Sequence, residues 1–88
     1  MCRNIRTLFN FVPPATEEEI RAAALQFVRK IAGTRKPSQA NTRSFERAVE
    51  RIFKVSSDLL EELVATGPPR DREAEAAKAK ERNRRRFG

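Results

Sequence analysis

The sequence predicts an all-α fold in one small domain. Two long antiparallel helices run over about 17–32 and 39–66, with an N-terminal arm or short helix before them and a basic, Ala-rich C-terminal helix after them. Three observations predict this. Helix formers (Ala, Glu, Arg, Lys, Leu) dominate, with only 3 Gly in 88 residues. Apolar residues recur at the helical period through two long stretches. Start and stop signals bound those stretches. A chain of 88 residues is shorter than the usual domain of about 100 to 200, so residues 1–88 form a single domain with one modest core.

At the N-terminus, Ile5, Leu8, Phe9 and Val12 fit one helical face, whereas Ile5, Thr7, Phe9 and Phe11 fit an extended strand. A lone strand has no partner, so the reading favours a short helical turn or an ordered arm folded over the long helices, with Pro13-Pro14 fixing the corner. Thr16 followed by Glu17, Glu18 and Glu19 is a capping box, and its acids face the positive end of the helix dipole. Ile20, Ala23, Ala24, Phe27, Val28 and Ile31 then form the apolar stripe, while Leu25 and Ala32 point away from it. Gly33 falls where a left-handed C-terminal cap is wanted.

Thr34 to Pro37 connect to the second helix, for which Ser38 or Asn41 is the N-cap. Phe45, Val49, Ile52, Leu59, Leu60 and Leu63 define its stripe, and Ala48, Phe53, Val55 and Val64 widen it to about half the circumference, more than one neighbour covers. Gly67 with Pro68-Pro69 is the predicted stop. Asp71 can cap a third helix over about 73–86. Its apolar residues are almost all Ala, so residues 71–88 read as a basic helical tail whose order the sequence leaves open.

Composition excludes several chemistries. There is no His, no Trp and no Tyr, and Cys2 is the single cysteine, which removes the usual proton shuttle and any internal disulfide. No zinc site, other metal site or cofactor is expected. Arg3 and Arg6 precede a short apolar stretch, but Asn10 breaks it and Pro13-Pro14 ends it, unlike a secretion signal. No apolar run approaches the roughly 20 residues that cross a bilayer. The expectation is a cytoplasmic, non-enzymatic protein with no membrane partner. An N-terminal Cys2 freed by removal of Met1 would gain an amine as base, yet nothing else completes such a site.

The net charge is +7 and is uneven: +4 over 1–36, −1 over 37–66 and +4 over 67–88. Such a distribution suits an anionic partner, nucleic acid or another polyanion, met by the ends and one loop. Arg35, Lys36 and Ser38 stand just before a helix start, where backbone amides favour an anion; the plainer reading is a solvated loop. Lys78, Lys80, Arg82, Arg84, Arg85 and Arg86 form the densest basic run, diluted by Glu73, Glu75 and Glu81. Arg43, Arg47 and Arg51 repeat every four residues, with Glu46 and Glu50 in the adjacent row, which predicts a salt-bridged exposed face. The rival function is protein interaction, with leftover apolar residues Phe53, Val55 and Val64 forming a homodimer or partner-helix interface.

Met-Cys-Arg-Asn-Ile at 1–5, Pro-Pro-Ala-Thr at 13–16 and Glu-Ile-Arg-Ala-Ala-Ala-Leu-Gln-Phe-Val-Arg-Lys at 19–30 resemble domain of unknown function family 2277. Arg-Lys-Pro-Ser at 35–38, Phe-Glu-Arg-Ala-Val at 45–49, Pro-Pro-Arg-Asp-Arg-Glu at 68–73 and the closing Arg-Phe-Gly extend the likeness over the whole chain. Members are mostly short bacterial proteins with no assigned activity, ligand or catalytic residue, so no residue role carries over. The resemblance implies a complete natural protein to which both the arm and the tail belong.

Overall fold

The computed structural model describes residues 5–87, with side chains described through Arg85. Cys2 and the N-terminal amine, and the side chain of Arg86, lie outside the described residues. The element order is β1 (Phe11–Val12), α1 (Glu17–Ala32), a 3-10 turn (Gln39–Asn41), α2 (Thr42–Glu62), β2 (Arg70–Asp71) and α3 (Arg72–Phe87).

α1 begins and ends as its caps dictate. The Glu19 amide donates to Thr16 Oγ1 at 3.2 Å, and the Thr16 amide donates to Glu19 Oε1 at 3.0 Å, closing the capping box. Gly33 takes the left-handed conformation (φ 73°) and its amide donates to the Arg29 carbonyl at 3.0 Å. The core lies between α1 and α2, where Ala24, Val28 and Val49 are buried with Leu25, Phe45, Ala48, Ile52 and Phe53 packed around them. Ile20 is buried one turn away. The helices run in opposite senses: Arg21 of α1 meets Glu50 and Phe53, while Leu25 and Arg29, further along α1, border Phe45, earlier on α2.

Four expectations need correction. Leu25 packs on the core, whereas Phe27 and Ile31 of the predicted stripe are 45% and 68% exposed. The stripe of α1 is wider than one helix can cover, and α2 approaches from the Leu25 side. The second helix does not reach 66 or start at 39: it is preceded by a 3-10 turn and ends at Glu62. Leu63, its C-cap, is extended (φ −66°, ψ 136°), and its amide donates back to the Leu59 carbonyl. Gly67 is therefore not the cap, and its φ is not left-handed.

The N-terminal segment is an extended arm and not a helical turn, because a strand partner does exist. β1 pairs in parallel with β2, Phe11 opposite Arg70 and Val12 opposite Asp71. Asn10 supplies the corner: it takes the left-handed region (φ 64°), its carbonyl accepts from the Arg70 amide at 2.8 Å, and its side-chain amide donates to the Pro68 and Gly67 carbonyls. From Leu63 to Pro69 the chain lies outside any helix, with bends at Thr66 and Gly67, and leads from the end of α2 to β2. Asp71 caps α3 as predicted, its Oδ1 accepting from the Ala74 amide at 2.9 Å. Among the described residues, α3 continues directly from β2 and makes no comparable contact with α1 or α2.

Candidate functional site

The loop between α1 and α2 brings four cations to one end of the hairpin. Gln26, Arg29, Lys30, Gly33, Thr34 and Arg35 line a shallow hollow there, and Lys36 and Arg35 border a second with Arg29 and Phe45. The loop is tied down internally. Arg29 Nε donates to the Arg35 carbonyl at 3.0 Å, the Gly33 and Thr34 amides both donate to the Arg29 carbonyl, and Thr34 Oγ1 donates to the Lys36 carbonyl at 2.8 Å while accepting the Lys36 amide. Those amides are thus not free for an anion, so recognition at this tip rests on side-chain charge. Ser38 accepts from Asn41 Nδ2 at 3.1 Å through its hydroxyl and from Thr42 Oγ1 through its carbonyl, and makes no side-chain cap.

The arginine row of α2 departs from expectation. Arg43, Arg47 and Arg51 are exposed, and among the described residues none pairs with Glu46 or Glu50. Glu50 instead pairs with Arg21 across the helices, and Lys54 pairs with Asp58 at 3.7 Å. With Arg29, Lys30, Arg35 and Lys36, which also lack an acidic partner, the row makes the tip-facing half of the hairpin strongly positive. Local sequence spacing suggested i, i+3 and i, i+4 pairs; the long-range partner of Glu50 overrode them.

The tail is less basic than its composition. Lys78 pairs with Glu75 at 3.9 Å, and Arg84 and Arg85 both pair with Glu81, leaving Lys80 and Arg82 without an acidic partner among the described residues. Such exposed pairs stabilise little but do lower the local field.

Sequence reasoning missed a polar clamp. Arg72 donates to both Glu19 carboxylate oxygens at 2.9 and 2.8 Å and to the Pro13 carbonyl at 2.6 Å, while Arg6 reaches the same carboxylate at 3.4 Å. The Arg72 hydrogen bonds first, and the Thr16 amide second, hold the Glu19 carboxyl down at about 2. The carboxylate in turn raises the Arg72 guanidinium. Phe11 lies beneath Arg70 and Arg72, whose guanidinium carbons are 5.7 and 6.0 Å from its ring centre. The capping box announced Glu19, but nothing in the local spacing announced Arg72 as its partner.

The three apolar residues singled out as an interface do not share a face. Phe53 is half-buried under the Arg21 guanidinium, 4.0 Å from its ring centre. Val55 projects from the far side of α2, 68% exposed, and Val64 lies beyond the helix end.

These features define a class: a small helical-hairpin protein with an unpaired basic tip and a loosely attached basic third helix. No group of three or more His, Cys, Asp or Glu side chains placed to hold a metal occurs among the described residues, nor is any helix there long and apolar enough to cross a membrane. The chain belongs to the uncharacterized conserved protein family DUF2277, which it matches over residues 1–78, from the N-terminus into the first half of α3. No curated protein and no solved structure matches it.

Proposed function

We propose that the protein is a non-enzymatic module that binds nucleic acid or another polyanion through the basic hairpin tip, with the tail as a secondary contact. The observation that carries this reading is the set of cations without acidic partners: Arg29, Lys30, Arg35 and Lys36 at the tip and Arg43 and Arg47 on the adjoining turns of α2. Among the described residues, seven of the other eleven cations are held in internal pairs, so a remaining cluster in which cations outnumber the neighbouring Glu46 and Glu50 supports an external anion. Arginine predominates, which suits bidentate contact with phosphate.

The test is the affinity of the full chain for a mixed-sequence DNA duplex, an RNA strand and heparin across a salt series. Binding should fall steeply with salt as neutralised phosphates release counterions, by a log–log slope of about 0.9 per phosphate contact on duplex DNA. The substitutions Arg35→Ala, Lys36→Ala and Arg43→Ala together should reduce that slope by about 2 to 3, and Lys80→Ala with Arg82→Ala by less. Binding that is absent, or insensitive to salt and to these changes, overturns the reading.

A further inference from the structure

We infer that the hairpin face carrying Phe27, Val55 and Leu59 docks a second copy of this chain, with the tip of one hairpin over the base of the other. The inference rests on the apolar face and not on polyanion binding, and it shares only Lys30 with the basic tip.

The face is defined by what lies opposite it. Arg21, paired with Glu50 and stacked on Phe53, marks one side of the hairpin. At about 100° per residue, Phe27 is about 240° round α1 from Arg21, and Val55 and Leu59 are about 200° and 240° round α2 from Phe53. All three therefore project from the other side, where they are 45%, 68% and 52% exposed; Ile31, one turn beyond Phe27, is 68% exposed. The described residues of the arm lie elsewhere: Leu8 borders Glu18, Glu19 and Ala22, and Phe9 and Phe11 border Ile20, Ser57 and Leu60. Among the described residues α3 makes few contacts with α1 or α2.

The area leaves room for a partner of about the chain's own size. The chain exposes 7526 Å², against about 5,300 Å² for a compact monomer of its 10.1 kDa mass. The excess of roughly 2,000 Å² is shared between the projecting α3 and the hairpin, and each subunit of an obligate homodimer covers roughly 1,000 to 2,500 Å². The flat shape, 45 × 37 × 16 Å, offers that area on one broad side.

Charge argues for a second copy and for its direction. Lys30 follows Phe27 by three positions at the tip end, and Glu62 follows Leu59 by three at the base end; both are exposed, and neither has an ion-pair partner among the described residues. A two-fold axis lying in this face and running obliquely across the helices crosses α1 of each copy over α2 of the other, which places Lys30 over Glu62 and Phe27 over Val55 and Leu59. One patch then satisfies itself twice, as an isologous contact requires.

Sedimentation equilibrium of the full chain, from low micromolar to about 100 micromolar, tests this. The expected result is a dimer at twice the 10.1 kDa chain mass. Val55→Asp should raise its dissociation constant at least about a hundredfold, because a carboxylate is then buried without a partner. Lys30→Glu and Glu62→Lys should each weaken the dimer several-fold, and the double reversal should restore it to within about twofold of wild type. Circular dichroism should show unchanged helix in every variant, since all three positions are exposed in the single chain. A monomer throughout, an open-ended oligomer, a dimer indifferent to Val55→Asp, or a double reversal no tighter than the single ones overturns the inference.

Discussion

The Glu19 carboxylate holds three separate segments: the Thr16 cap of its own helix, Arg72 at the start of α3 and Arg6 of the arm. Because Arg72 and the cap keep its carboxyl near 2, below the ordinary carboxylate value, Glu19 contributes stability that is complete above about pH 5 and is lost as the pH falls toward 2. Glu19→Gln preserves the reciprocal cap, which glutamine can also close, and removes only the charge. The melting temperature of this variant should lie below wild type at pH 7, and the gap should close between about pH 5 and pH 2. A pH-independent gap would mean that Arg72 does not act through the carboxylate charge. Asn10 is the second such residue. Asn10→Ala should destabilise by about 1 to 2 kcal/mol in urea, combining the left-handed backbone with lost hydrogen bonds, while Asn10→Gly, which relieves the backbone, should cost less. Neither role was visible in the sequence, where Asn10 merely interrupts an apolar stretch and Glu19 belongs to a local cap. Both partners lie more than fifty residues away, and no local pattern encodes that distance.

At the scale of elements, local chemistry made three caps readable and tertiary demand moved the end of α2. Thr16, Gly33 and Asp71 act where capping rules place them, because each interaction is completed within five residues. The end of α2 answers to a distant partner, the arm, so the Gly67-Pro68-Pro69 signal misleads by four residues. Two substitutions separate these cases. Gly33→Ala forces a Cβ into φ 73° although nothing crowds it within 4 Å, so it should cost about 1 kcal/mol from backbone strain alone. Gly67 is equally uncrowded and lacks a left-handed φ, so Gly67→Ala should be neutral or stabilise by up to about 1 kcal/mol through the unfolded chain. Were Gly67 a helix cap, the two would cost alike. The stripe of α1 shows the same limit. Periodicity correctly makes its residues apolar, but which half α2 covers depends on the approach of a second helix.

For the whole molecule, the distribution of packing matters more than the count of helices. A radius of gyration of 15.8 Å exceeds the roughly 12 Å of a compact domain this size, and α3 is a main reason: it is joined to the rest through Asp71, Arg72 and β2. Its sixteen residues are near the length at which an isolated helix is marginal in water, supported by the pairs of Glu75 with Lys78 and of Glu81 with Arg84 and Arg85. Ala supplies propensity but little surface to bury, so α3 should open without disturbing the hairpin. Native-state hydrogen exchange should therefore find amides of 77–86 at least about a hundredfold less protected than those of 20–31 and 45–60. Uniform protection would mean that α3 belongs to the same cooperative unit as the hairpin. The experiment also separates the two basic surfaces. A polyanion held by the tip alone should leave exchange in 77–86 unchanged, whereas one that also engages Lys80 and Arg82 must order the helix that carries them and should slow it.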